Sequence, residues 1–560
     1  MKLHVIQILK KHSYLRNADI EGLLEKPKEE SMGDYALPCF FLARELKKNP
    51  VEIAKDIARN LKLTGEIEKV EAVGPYVNFF VNRKQVAIST LNKVVKEKDD
   101  YGRMKKKDNN VMVEFSQPNT HKAFHVGHIR GTSFGESLAR IKGFCGDNVI
   151  RANYSGDTGM HIAKWMWCYT RFHKNEKIEN QEEWFAKIYV EAMQKLEDNE
   201  EGTREVEEIN RKLDEKKDKS LIKLWKETRK KSIDAWKPIY KDLDVKFDRD
   251  YFESQVEEAG KNIAKELVKD ELAEESEGAT IMNFNSLGLG VWVLLRKDGT
   301  VLYSAKDLAL ARIKFKDYKL NESLVITNAE QNLHFKQLQK TLELMKFPHW
   351  KRYNHLGYES VRLPEGKMSS RTGNNILYAD FRNELVEEAK KEIDKREKLN
   401  VRELEKRALV IAIAAMKYSM LKQDVNKIIV FDKGEALRFE GDTGPYLLYS
   451  YARAKSILRK VKTKNKSGKM KIESLDEKEK SLIMKFNDFP QTIGNAYKNN
   501  DPSCVAHYAY DLAQRFNEFY HSEKVIGSER EDFRLAIVEC FSQVLKNALY
   551  LLGIDVLEEM

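Results

Sequence analysis

Hydrophobic and polar positions recur with different periods along the chain, and these periods predict its elements. In "PVEIAKDIARNLKL", Ile53, Ile57 and Leu61 have helical spacing, whereas "VEAVGPYVNFFVN" has the pattern of two strands around a turn. Helix and strands together predict a small α+β domain over residues 1–105. The polar stretch "KEKDDYGRMKKKDNN" separates this domain from the second one.

A strand, a helix and a second strand open the second domain. "VMVEFS" is the apolar run of a buried strand, residues 128–143 are amphipathic, and "NVIRANY" again has a strand pattern. This order is typical of the βαβ unit in a parallel nucleotide-binding sheet. We therefore predict an α/β catalytic domain with a Rossmann-type parallel sheet over residues 106–375.

A segment rich in Lys and Glu, from about residue 170 to 280, predicts a helical insertion in this domain. Its apolar positions mark one helical face: Leu221, Trp225, Ile233, Trp236 and Tyr240. The sheet is expected to resume at "GVWVLLRKDGTVLYS", with a hairpin turn at Asp298-Gly299, and again at "SLVITN".

The remainder of the chain has helical patterns throughout. We predict a helical connector over residues 376–440 and an all-α domain over residues 441–560. Pro445 suits the first turn of a helix, with Gly444 as the preceding cap.

Composition narrows the classes of protein. With 42% hydrophobic and 33% charged residues, the chain has the composition of a globular protein. Its longest apolar run, "ALVIAIAAM", is far shorter than the roughly 20 residues that span a bilayer. The five cysteines include no C-x-x-C pair, which argues against a zinc site and a disulfide framework. A cytoplasmic, monomeric protein without membrane contact is expected.

Two histidines lie where the chain enters the predicted helix. His125 and His128 flank Gly127, and backbone N–H groups at a helix start attract anions. The two imidazoles can donate to one phosphate, while Gly127 leaves room for an adenosine to approach the backbone. Taken alone, two histidines in a loop are more often surface or core residues than catalytic ones, so a second phosphate-binding element is needed to decide.

That second element is "PEGKMSSRTGN", a glycine-flanked stretch with a lysine and two hydroxyls. Such a segment can close over a triphosphate and stabilise the leaving pyrophosphate. The chain contains no G-x-x-x-x-G-K-[ST] motif, which excludes a P-loop as the phosphate cradle.

"HVGH" followed by "KMSS" resembles the paired signatures of class I aminoacyl-tRNA synthetases. "VEFSQPNTHKAFHVGHIRG", "KDGTVLYSAKDLALA", "AEQNLHFKQL" and "FEGDTGPYLLYSYARAKSILRK" resemble the arginyl-tRNA synthetases within that class. The resemblance implies that arginine and Mg-ATP form arginyl-adenylate and that arginine is then transferred to the 3′ end of tRNA(Arg). It also implies that activation requires bound tRNA.

The resemblance further implies a set of site residues. The catalytic and ATP-binding positions are His125, Gly127, His128, Lys122, Lys367, Met368, Ser369 and Ser370. The arginine-binding positions are Asp307, Tyr303 and Gln331 for the guanidinium, with Glu114, Ser116 and Asn119 nearer the amino-acid backbone. The tRNA-binding positions in the anticodon-binding domain are Tyr446, Tyr449, Arg453 and Lys460.

Several alternatives stay open at this stage. Either Lys122 or Lys367 can contact the pyrophosphate, and the intact KMSS stretch favours Lys367. Asp307 can also serve as a helix N-cap, and the tyrosines of the last domain can pack inward. Ala305 and the stretch "GDTGMHIAK" depart from the family pattern. A ligase that acts without RNA and a non-catalytic RNA-binding protein are the two rival functions.

Overall fold

A computed structural model describes residues 2–16, 20, 22–27, 29–63, 65–364, 377–461 and 474–560. The first region is a three-stranded antiparallel sheet, in the order β1-β3-β2, packed with helices. Its elements are α1 (Lys2–Leu9), β1 (Tyr35–Pro38), α2 (Phe40–Leu46), α3 (Pro50–Asn60), β2 (Ile67–Val73), β3 (Tyr76–Val81) and α4 (Arg83–Glu97). The predicted helix and strand pair are confirmed, and the Asn49 side chain caps α3 by accepting a 2.9 Å hydrogen bond from the Val51 N–H.

The second region contains a five-stranded sheet in the order β11-β10-β4-β5-β6, and all its strands are parallel. Its first elements are β4 (Asn110–Glu114), α5 (Val126–Phe144), β5 (Asn148–Ser155), α6 (Met160–Phe172), α7 (Glu182–Lys195), α8 (Glu200–Glu215), α9 (Lys219–Asp242), β6 (Arg249–Phe252) and α10 (Glu253–Lys269). The others are β7 (Glu274–Ser276), β8 (Ala279–Phe284), β9 (Gly290–Leu295), α11 (Tyr303–Asp317), β10 (Glu322–Asn328), α12 (Asn332–Leu344), β11 (Tyr353–Tyr358) and β12 (Val361–Arg362). The predicted Rossmann-type βαβ unit is confirmed as β4, α5 and β5.

The expectation that the main sheet resumes at residue 290 is wrong. Strand β9 pairs with β8 in a separate antiparallel sheet, whereas the main sheet takes its third strand earlier, at β6. The tight turn at Asp298-Gly299 does form, since the Gly299 N–H donates to the Arg296 carbonyl. The apolar alternation at β9 identified a strand correctly, but it carries no information about the strand's partner.

Helices form the rest of the described chain. They are α13 (Tyr378–Asp394), α14 (Val401–Leu421), α15 (Lys433–Ala436), α16 (Gly444–Lys460), α17 (Glu477–Asn499), α18 (Ser503–Ser522) and α19 (Glu531–Leu551), and β13 (Ile429–Val430) pairs with β12. Pro445 lies in the first turn of α16 as predicted, but the cap is Thr443 rather than Gly444. A Cβ at Gly444 would lie 2.3 Å from the Ala414 carbonyl oxygen, so glycine permits close contact with α14.

Apolar cores lie on both faces of the parallel sheet. One core joins α5 to α13, α14 and α16–α19, and a second joins α10, α11 and α12 to β8 and β9. A third core stabilises the first region, and a fourth stabilises the α6–α8 segment. Helix α5 is therefore buried along most of its length, and its N-terminal end borders a cavity through His125 and His128. No helix in the described ranges combines the length and apolar character of a membrane span.

Candidate active site

The geometry of His125 and His128 determines which ring nitrogen of each carries a proton. His125 caps α5, and its Nδ1 accepts a 3.1 Å hydrogen bond from the Gly127 N–H. His128 Nδ1 accepts in turn from the His125 N–H, also at 3.1 Å. Because both Nδ1 atoms act as acceptors, each neutral ring carries its proton on Nε2. The pair thus presents two Nε2–H donors at the start of α5.

Burial keeps both imidazoles neutral. It lowers the pKa of His125 to about 4, with Lys122 as a second cause, and it lowers the pKa of His128 well below its usual range. The rings lie 4.0 Å apart, and a Cβ at Gly127 would come within 2.9 Å of the His125 ring. Glycine at this position therefore leaves space for the His125 ring. The sequence had predicted only that it leaves space for adenosine.

A cavity of about 640 Å³ opens beside the histidines, within the range of small-molecule sites. Asn119, Lys122, His125 and His128 line one side of it, and α7 lines the other. The Lys122 ammonium lies 5.1 Å from the centre of the Tyr189 ring, and burial, followed by Lys164, lowers its pKa. Four of the predicted site residues are therefore brought together here.

The KMSS residues Lys367, Met368, Ser369 and Ser370 lie outside the described residues. The described chain resumes beside the histidines, where Leu377 forms a β-bridge with His125 and the Tyr378 N–H donates to the Phe124 carbonyl. The C-terminal flank of the KMSS stretch is therefore attached to the start of α5.

Asp307 lies inside α11, so its alternative role as an N-cap is wrong: the cap is Leu302. His334 Nε2 lies 2.7 Å from Asp307 Oδ2, and the Trp292 indole N–H donates to His334 Nδ1 at 3.1 Å. The indole thereby fixes the tautomer in which His334 donates to the carboxylate. Sequence reasoning missed both supporting residues.

The two other predicted guanidinium ligands, Tyr303 and Gln331, are exposed. Tyr303 is 59% exposed, and its ring lies 4.8 Å from that of His334. Gln331 follows β10 and is also exposed. Both side chains are accessible to a ligand that reaches Asp307.

The three predicted residues near the amino-acid backbone differ in their surroundings. Glu114 is buried, pairs with Lys314 at 2.5 Å and accepts from Gln117, so its charge is already compensated. Ser116 has a φ of 78° and hydrogen bonds to Tyr240 and Thr132. Asn119 lines the cavity. Asn119 is thus the most accessible of the three.

Tyr154, at the carboxyl end of β5, is a candidate residue that sequence reasoning missed. Its hydroxyl is buried and has no hydrogen-bond partner among the described residues. Burial, and then Asp307, Glu253 and Glu114, raise the pKa of Tyr154 well above its usual range. The predicted arginine-binding carboxylates Asp307 and Glu114 therefore both disfavour ionisation of this phenol. The sequence feature that could have identified Tyr154 is its place at the end of a parallel strand, where such sheets bind ligands.

Arg130 was also missed, although it directly follows the histidine motif. Its buried guanidinium donates to the carbonyls of residues 359, 360, 424, 425 and 427 at 2.5–3.4 Å. These carbonyls belong to the segments around β12 and β13, and β12 leads to the KMSS stretch. Arg130 therefore joins α5 to the N-terminal flank of that stretch.

We expect Arg130→Met to lower the free energy of unfolding by at least about 3 kcal/mol, because several buried carbonyls lose their donor at once. Arg312→Met is the control, since the Arg312 side chain is 39% exposed and forms an ion pair with Glu266. Chemical denaturation of both variants measures the difference. Equal losses would show that the carbonyl contacts of Arg130 contribute little.

His121, the third histidine of the motif, has a structural role. It is fully buried, and its ring nitrogens lie 3.1 Å from Thr120 Oγ1 and 2.8 Å from Thr228 Oγ1. Thr228 belongs to α9, and Trp165 and Phe185 surround the ring. His121 therefore anchors the helical insertion to the turn that precedes α5.

Burial, followed by Arg229, lowers the pKa of His121 to about 3. The unfolded chain binds this proton near pH 6.5, so stability is lost as the pH falls below that value. Between pH 7 and 5 the wild type should lose about 2 kcal/mol more than His121→Gln. Denaturant unfolding at both pH values measures this difference. Identical pH dependence of the two proteins would contradict the assignment of a neutral His121.

The predicted tRNA-binding residues lie on α16. Tyr446, Tyr449 and Arg453 are half-buried, and Lys460 is exposed. Arg453 donates to Asn517 at 2.5 Å and to the Tyr449 hydroxyl at 3.2 Å, while Asn517 donates to the Tyr446 hydroxyl. The tyrosine rings pack partly inward, as expected if these residues are structural. Their polar groups nevertheless form one hydrogen-bonded cluster. Most of the lysine-rich segment after Lys460 lies outside the described residues.

Three models of known protein families together match most of the chain. The family model of the class I tRNA synthetase (R) catalytic domain matches residues 90–432. The arginyl tRNA synthetase N-terminal domain matches residues 1–81, and the DALR anticodon binding domain matches residues 447–560.

Two relatives that are similar in sequence are named arginine–tRNA ligases. The arginine–tRNA ligase of Clostridium acetobutylicum is 36% identical over 558 residues, with 97% of each chain covered. That of Bdellovibrio bacteriovorus is also 36% identical, over 97% of this chain and 95% of its own. The solved arginyl-tRNA synthetase of Thermus thermophilus shares the fold, with a TM-score of 0.82, 24% identity and full coverage of both chains. The chain therefore belongs to the class I arginyl-tRNA synthetases, the ligases that join arginine to tRNA.

Proposed function

We propose that the cavity beside His125 and His128 is where this enzyme activates arginine with ATP. The observation that supports the proposal best is the pair of neutral imidazoles at the start of α5, whose backbone contacts at Nδ1 leave both Nε2–H groups as donors. Neutral donors suit a phosphate whose negative charge increases in the transition state. Asp307, fixed by His334, supplies the matching carboxylate for arginine.

The reaction needs no nucleophile from the protein. The arginine carboxylate attacks the α-phosphorus of ATP, arginyl-adenylate forms, and pyrophosphate leaves. His125 and His128 stabilise the pentacoordinate phosphorus, and Lys122 or Lys367 contacts the pyrophosphate. A ribose hydroxyl at the 3′ end of tRNA then loses its proton and attacks the activated carbonyl, the arginyl ester forms, and AMP leaves. ATP enters as its Mg²⁺ complex.

Arginine would be selected by its guanidinium. Asp307 Oδ2 accepts from His334, which leaves Oδ1 and the remaining lone pairs for the substrate. The planar guanidinium can donate two parallel N–H bonds to one carboxylate, which the lysine ammonium cannot do. Tyr303 and Gln331 would complete this end of the pocket, and Glu114, Ser116 and Asn119 the other.

The tRNA would contact both terminal domains. Tyr446, Tyr449, Arg453 and Lys460 combine aromatic rings with positive charge, which suits unstacked bases and phosphates. The N-terminal domain would contact the outer corner of the tRNA. The domain limits, the monomeric state and the cytoplasmic location remain predictions.

The test is the charging of a tRNA(Arg) transcript with radiolabelled amino acid. We expect arginine to be attached to the transcript and lysine to be rejected. Charging requires RNA as the acceptor, so it also excludes a small-molecule ligase. RNA binding without any charging would favour the non-catalytic alternative.

A further inference from the structure

Three metal-ligand types converge in the helical insertion. Cys168 lies on α6, His173 directly follows that helix, and Glu191 lies on α7. Their ligand atoms lie within 4.8 Å of one another, and no other trio of this kind occurs in the described part of the chain. Their spacing along the sequence matches no C-x-x-C or H-E-x-x-H motif, which is why sequence reasoning predicted no zinc.

His173 has a carboxylate at each ring nitrogen. Nε2 lies 2.9 Å from Glu191 Oε2, and Nδ1 lies 2.7 Å from Glu176 Oε1. A histidine that binds a metal through one nitrogen usually donates its other N–H to a carboxylate, which orients the ring. Glu176 occupies that supporting position, so the Nε2 edge beside Glu191 is the one oriented for a metal.

The thiol of Cys168 is a buried polar group that has no role in the catalytic site. Its side chain is fully buried, and its sulfur forms no disulfide with another described cysteine. A cation among these groups would compensate the thiolate, and it would share the Glu191 carboxylate with Lys195, whose ammonium lies 3.6 Å from Glu191 Oε1.

We propose that Cys168, His173 and Glu191 bind a zinc ion, with Glu176 orienting His173. One sulfur, one nitrogen and one oxygen are ligands that zinc accepts in tetrahedral sites, and water can supply the fourth ligand. The thiol makes magnesium or calcium unsuitable, since both prefer oxygen ligands throughout. On binding, zinc replaces the thiol proton and the proton at His173 Nε2.

The position of the site indicates its role. It joins the end of α6 to α7, and α7 lines the cavity beside the catalytic histidines. Zinc would thus hold α7 in place without contacting the reacting groups. The proposal is independent of the catalytic assignments.

The metal content of the purified full-length protein tests this proposal. We expect about one zinc per chain after dialysis against zinc and removal of the excess, and loss of that zinc in both Cys168→Ser and Glu191→Gln. Cys504→Ser is the matched control, because Cys504 is a half-buried cysteine of the C-terminal helices, and it should retain the metal. Zinc should also raise the thermal midpoint of the wild type and leave that of Cys168→Ser unchanged.

Cobalt replacement identifies the ligands. Co²⁺ bound to the wild type should show the thiolate-to-metal charge-transfer absorption, which Cys168→Ser should lack. Substoichiometric zinc in the wild type, or equal zinc in wild type and Cys168→Ser, would overturn the proposal. Should Cys168→Ser fail to fold, as circular dichroism would reveal, Glu191→Gln and His173→Gln decide by the same measurements.

Discussion

His125→Asn and His128→Asn should each lower the kcat of arginine-dependent ATP–pyrophosphate exchange by about 10²- to 10³-fold, as expected when a transition-state donor is removed. Asparagine can still accept a backbone hydrogen bond in place of Nδ1, so the cap of α5 is retained. Its shorter side chain cannot place a donor where Nε2–H lies. The loss should therefore appear in kcat rather than in stability. Exchange kinetics with saturating tRNA measure it.

Affinity for tRNA and the thermal midpoint are the controls for these two variants. Both should stay close to the wild-type values, since the histidines contact the reacting phosphate rather than the RNA. Near wild-type exchange in both variants would remove the histidines from the mechanism. A large fall in the thermal midpoint would indicate a structural role such as that of His121.

Asp307→Asn should raise the KM for arginine by about 10³-fold and leave the KM for ATP nearly unchanged. The substitution keeps the size of the side chain but removes its charge, and charge-assisted hydrogen bonds contribute about 1.5–3 kcal/mol each. His334→Ala should raise the same KM by a smaller factor, because His334 orients the carboxylate without contacting arginine. Exchange at varied arginine and ATP concentrations separates the two KM values.

The matched control for Asp307 is Asp317→Asn, at the exposed end of the same helix. It should leave both KM values unchanged. If Asp307→Asn raised the KM for ATP as much as that for arginine, Asp307 would belong to the nucleotide site or to the fold. If it changed neither, another group would bind the guanidinium.

Local features of the fold could be predicted from the sequence because they depend on nearby residues. The alternation in residues 70–82 predicted the β2–β3 hairpin, and the motif around Gly127 predicted the start of α5. The separate sheet formed by β7–β9 could not be predicted, since strand pairing depends on distant segments.

In the candidate site, too, local features could be predicted, whereas contacts between distant segments could not. His125 and His128 were predicted from a motif, whereas the support of Asp307 by His334 and Trp292 comes from other elements of the chain. Arg130 was visible in the sequence, but the five carbonyls that it contacts lie more than 200 residues away. Periodicity indicates that such residues are buried and does not identify their partners.

The most direct measurement is ATP–pyrophosphate exchange by the wild-type enzyme with arginine, with lysine and without amino acid, each with and without tRNA(Arg). We expect exchange only when arginine and tRNA are both present. Bound tRNA would favour a conformation of the pocket that can activate arginine and that is rare in the free enzyme. Equal exchange with and without tRNA would show that the pocket is already assembled and that coupling between RNA and the active site is wrong. Absence of arginine-dependent exchange in every condition would contradict the assignment of the cavity as the site of arginine activation.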